Sequence, residues 1–102
     1  MIKIIVTRKE SKIISIEVSG HANYESKGKD IVCAGVSAVV VGGFNALAEY
    51  NPNLDIVVTN KVSKVNIKDI DDNNIQSILN TIYVQLNTIY KSYPKNISIK
   101  EV

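Results

Sequence analysis

The sequence predicts an α+β domain of two layers, with two helices packed on an antiparallel sheet in the order ββαββα(β). Period-two alternation of apolar residues marks the strands, and a period near 3.6 marks two longer segments as helices. Pro and Gly punctuate the boundaries between them. At 102 residues, with 45% apolar composition, the chain makes one domain, residues 1–102, with enough apolar side chains to close a core. Trp is absent and Phe44 is the only Phe, so Ile, Val and Leu supply most of that core.

The first strand alternates Ile2, Ile4 and Val6 with Lys3, Ile5 and Thr7. Arg8-Lys9-Glu10-Ser11 forms a turn. A second strand carries Ile14, Ile16 and Val18 on one face and Ser15, Glu17 and Ser19 on the other, and Gly20 ends it. Residues 22–31 have few apolar anchors and read as a mobile loop. From Val32 to about Tyr50 the apolar residues Val36, Val40, Phe44 and Leu47 recur at helical spacing, and Asn51-Pro52 stops the helix. Gly42-Gly43 lies inside it, where each glycine costs about 1 kcal/mol relative to Ala. Close packing of the helix on the sheet or on a partner chain explains the pair, with a functional hinge as the alternative. Strand three is Leu54 to Thr59, and a tight Asn60-Lys61 connection leads to strand four, Val62 to Lys68. Asp69 to Asp72 supply acidic and capping groups for a second helix. Its stripe is Ile75, Ile78, Leu79, Ile82, Leu86, Ile89, Tyr90 and Tyr93, and Pro94 ends it. Ile97 and Ile99 alternate with Ser98 and Lys100 in a short last strand.

Composition excludes several classes of function. Twelve basic residues against 10 acidic ones leave a formal charge of +2, with the lysines scattered, which argues against direct nucleic-acid binding. No apolar stretch is expected to reach the roughly 20 residues of a membrane span. A single cysteine fits a reducing cytoplasm. One His and one Cys without C-x-x-C spacing make no metal site, and no phosphate-cradling glycine motif occurs, so neither metal nor cofactor is expected.

The chemistry concentrates on that His and that Cys. His21 follows Gly20 at a strand end, and Cys33 stands where the first helix begins. The thiolate is the nucleophilic form of cysteine, favoured by the positive end of a helix and by a neighbouring imidazolium. Such a pair serves as nucleophile and base. The backbone N–H groups of Cys33, Ala34 or Gly35 are candidate donors to the oxyanion of a tetrahedral intermediate. Asp30 either orients the imidazole or caps the helix. Ser37 lies one helical turn after Cys33 and either faces the site or bonds back to the helix. Against this stand plainer readings, in which Cys33 between Val32 and Ala34 is a small buried hydrophobe and His21 ends a strand. The chain would then be a binding module or a dimeric structural domain.

Gly20-His21-Ala22, followed by Gly28-Lys29-Asp30-Ile31-Val32-Cys33-Ala34-Gly35-Val36-Ser37, resembles the signature of the ribosomal-processing cysteine protease family Prp. That signature reads Gly-His-Ala, a short variable loop, then Gly-x-Asp-Ile-Val-Cys-Ala-Ala-Val-Ser. Gly35 departs from it by replacing the second Ala after the cysteine. The resemblance implies a thiol endopeptidase with Cys33 as nucleophile and His21 as base, acting without a cofactor. It implies removal of an N-terminal extension from the bacterial large-subunit ribosomal protein L-twenty-seven, with cleavage after an aromatic residue. It further implies a homodimer and a mobile loop, Ala22, Asn23, Tyr24, Glu25, Ser26, Lys27, Gly28 and Lys29, that orders around substrate.

Overall fold

A computed structural model describes residues 1–21 and 30–102 of the chain. The loop read as mobile, Ala22 to Lys29, lies outside the described residues. The elements follow in the order β1 (Ile2–Lys9), β2 (Lys12–Gly20), α1 (Ile31–Tyr50), β3 (Asp55–Val58), β4 (Val62–Asn66), α2 (Asn73–Ser92) and β5 (Ile97–Glu101). This is the two-layer α+β domain expected, with the helices on one face of a five-stranded sheet ordered β3-β4-β2-β1-β5.

The sheet is mixed rather than wholly antiparallel, because β5 pairs with β1 in parallel, Ile2 beside Ile97 and Ile4 beside Ile99. The helices dictate this. Each is 20 residues, about 30 Å of rise, and carries the chain back along the full length of the sheet. A strand entered after such a return runs the same way as the strand before the helix. Strand β5 therefore follows β4 in direction, and β4 is antiparallel to β2, as β1 is.

Ile2, Ile4, Val6, Ile16, Val65 and Ile97 line the covered face of the sheet and are buried with Val32, Val36, Val40, Phe44 and Leu47 of α1 and Ile75, Leu79, Ile82 and Leu86 of α2. The stripe read for α2 is thus its core face, with Ile78, Ile89 and Tyr90 half-buried beside it and Tyr93 closing the helix as its C-cap. Asp72 caps the other end, accepting from the N–H groups of Asn74 and Ile75 at 3.0 and 3.1 Å.

One face assignment in β2 changes. Thr7 pairs with Ser15 but Arg8 pairs with Ile13, so Ile14 is an extra residue at a bulge. A bulge reverses the alternation beyond it, and Ile13, not Ile14, joins Ile16 in the core. The turn between β1 and β2 narrows to Glu10 and Ser11, both at positive φ (53° and 70°), the backbone of a two-residue hairpin. Strands β3 and β4 are shorter than their apolar patterns, ending at Val58 and Asn66.

Helix α1 corrects the membrane expectation. By length and composition Ile31–Tyr50 is apolar enough to cross a bilayer. Its few polar residues, among them Ser37, Asn45 and Glu49, leave a mean hydropathy of 2.0. Here one face of that helix is committed to the core.

Candidate active site

Strand β2 delivers His21 and helix α1 delivers Cys33 to a single cleft of about 170 Å³. The strand end requires glycine. Gly20 sits at φ 86°, and a Cβ there would overlap the backbone oxygen of Met1. The chain leaves the sheet at this point with His21 exposed at the cleft rim. Below it, Ile2, Val18 and Val36 form an apolar floor, while Ser37 joins Cys33 on the helical wall. Cys33 is half-buried, the state of a thiol held in a wall yet open on one side. Ser37 therefore faces the site.

Asp30 is the N-cap of α1. Its Oδ1 accepts the Cys33 backbone N–H at 3.0 Å, and its carbonyl accepts the Ala34 N–H at 3.1 Å. The helix accordingly starts at Ile31 and not at Val32, since a capping side chain fixes the first turn around itself. The N–H groups of Cys33 and Ala34, two of the three named as candidate oxyanion donors, are thus engaged by Asp30. That of Gly35 falls within the helical ladder of α1.

The third wall escaped the sequence reading. Thr59, Asn60, Lys61, Val62 and Ser63, from the β3–β4 turn and the start of β4, line the cleft opposite α1. No motif marks them. What brings them there is the pairing of Val62 with Ser19, two residues before His21. The signal was present only as the tight Asn60-Lys61 connection. Among the described residues no three His, Cys, Asp or Glu side chains converge to hold a metal ion.

A pocket lined by apolar side chains, polar groups, a half-buried thiol and a histidine has the makings of a peptide-binding thiol site. Comparison with known proteins gives the family. A family model described as Cysteine protease Prp matches residues 1–98. The ribosomal processing cysteine protease Prp of Staphylococcus aureus is 37% identical over 98 residues, 93% of this chain and 92% of that one. Crystal structures of a Staphylococcus aureus ribosomal processing protease Prp superpose over the whole of both chains. The complex with a covalently linked product peptide gives a TM-score of 0.92 at 33% identity. The complex with a substrate peptide gives 0.87 at 31%. This chain belongs to the Prp family and is a cysteine protease.

Proposed function

We propose that this chain is a cytoplasmic endopeptidase that removes the N-terminal extension of ribosomal protein L-twenty-seven, with Cys33 as nucleophile and His21 as its acid and base. The observation that carries this reading is that both side chains line one cleft. The Staphylococcus aureus relatives, named for ribosomal processing and crystallised with substrate and product peptides, support the substrate class.

In this mechanism the Cys33 sulfur, its proton passed to His21, attacks the scissile carbonyl carbon. A C–S bond forms and the carbonyl electron pair moves to oxygen. Collapse of that intermediate breaks the C–N bond, and the imidazolium gives its proton to the leaving amine. A water, deprotonated by His21, then attacks the thioester and releases the peptide acid, and the thiol recovers its proton. The apolar floor of Ile2, Val18 and Val36 suits an aromatic side chain before the scissile bond. The N–H groups at the start of α1 supply hydrogen bonds to the developing oxyanion. A homodimer belongs to the same reading, supported by the exposed apolar strip of Ala34, Ala38 and Val41 on α1.

The test is mass spectrometry of a peptide spanning the extended ribosomal N-terminus. Wild-type protein should cut one bond, while Cys33→Ala and His21→Ala should leave the peptide whole and retain the native circular dichroism spectrum. Near-native cleavage by either variant overturns the dyad. An uncut peptide with freshly reduced wild type turns the assignment towards a binding module.

A further inference from the structure

The β3–β4 turn is built as a fixed wall. The Thr59 N–H donates to the Val62 carbonyl at 2.8 Å, and the Thr59 hydroxyl donates to the same oxygen at 3.0 Å. That hydroxyl also accepts from the N–H groups of Lys61 and Val62, at 3.2 and 3.0 Å. Val62 then enters the ladder opposite Ser19, so one continuous piece of sheet carries both this turn and the strand end that bears His21. The distance between the two is set before any peptide arrives.

The cleft is also unbalanced in charge. Its lining among the described residues includes no carboxylate, and its one lysine or arginine is Lys61. The ion pairs among the described residues join Arg8 to Glu101, Lys12 to Asp71 and Lys64 to Glu17, and none takes Lys61. Lys61 is exposed, at the tip of a turn whose backbone is held by Thr59.

We infer that Lys61 sets a charge preference in the peptide, favouring a carboxylate side chain over an ammonium at the residue that faces this turn. The inference rests on the reading of the cleft as a peptide site. An ion pair in such an exposed place gives a modest effect, about threefold in affinity, and one that fades as salt rises.

The experiment uses fluorescent peptides with an aromatic residue before the scissile bond and either Glu or Lys in turn at each neighbouring position. Binding is followed by fluorescence anisotropy in the Cys33→Ala background, and cleavage by the protein with Cys33 intact. At one position the Glu peptide should bind about threefold tighter than its Lys twin at low salt. Lys61→Gln should abolish the difference and Lys61→Glu reverse it, with urea unfolding midpoints unchanged. A Glu-to-Lys ratio that is the same in all three backgrounds, or that is one throughout, overturns the role of Lys61, even if every peptide is cut. A ratio that responds to Lys61 while no peptide is cut keeps this role and removes the proteolytic reading instead.

Discussion

Asp30 is one side chain that decides both where α1 begins and how the backbone of its first turn is bonded. Its carboxylate binds the backbone of Cys33, the residue read as nucleophile. Replacement by Ala should cost about 1 kcal/mol, the usual loss for an N-cap, measurable as a lower urea midpoint. Asn keeps an accepting oxygen in the same place, so Asp30→Asn should retain nearly all of that stability. If the carboxylate also acted on the imidazole, Asn would restore the fold but not the cleavage rate, and the paired variants separate the two roles. The thiol itself is half-buried in the cleft wall and not sealed in the core. Iodoacetamide should therefore label Cys33 in the native protein without denaturant, and a thiol that reacts only on unfolding would contradict its place in the cleft. The pair His21 and Cys33 was legible in the sequence because both stand at element ends, where strand alternation stops and helical spacing starts. Lys61 and Thr59 were not legible, because their place in the site depends on β4 lying beside β2, a long-range pairing with no local mark.

Among the elements, the bulge in β2 and Gly43 of the glycine pair in α1 are each matched by a specific partner on α2. At the bulge the backbone of Ile13 is satisfied by the amide of Gln76, whose Oε1 accepts its N–H at 2.9 Å and whose Nε2 donates to its carbonyl at 2.8 Å. Gln76→Ala strips both partners from half-buried backbone groups and should cost about 2 kcal/mol, read as a lower urea midpoint with an unchanged spectrum. Periodicity placed Gln76 on the helix correctly but said nothing of this role, since the role exists only where a strand irregularity meets a helix side chain. The two glycines divide in the same way. A Cβ on Gly43 would overlap Cγ1 and Cδ1 of Ile82, whereas one on Gly42 meets nothing within 4 Å. The close packing expected for the pair thus belongs to Gly43 alone, and its partner is α2. Gly42→Ala should stabilise the monomeric fold by about 1 kcal/mol through helix propensity, while Gly43→Ala should destabilise it by forcing Ile82 to move. Equal responses at the two positions would contradict this geometry.

At the scale of the whole molecule, the helices cover one face of the sheet and in doing so leave the far side of α1 outside the core. The strip Ala34, Ala38 and Val41 recurs at the spacing of one helical face, and every member is exposed, Val41 at 42%. Ala34 adjoins Cys33, so a second copy docked on this strip would stand beside the cleft. That makes the proposed homodimer relevant to activity and not only to stability. The small side chains matter for the same reason, since Ala and Gly allow two helix backbones to approach closely without a polar group being buried. Light scattering after size exclusion should give twice the 11.2 kDa chain mass for the wild type. Val41→Glu places a charge on the strip without touching the buried face of α1 and should shift the protein to monomer with its urea midpoint little changed. A wild type that elutes as monomer at high concentration would remove the dimer from the reading. A dimer unaffected by Val41→Glu would move the interface elsewhere, to the uncovered sheet face that carries Lys3 and Lys100 or to the edge strand β3, where Val57 and Val58 are exposed.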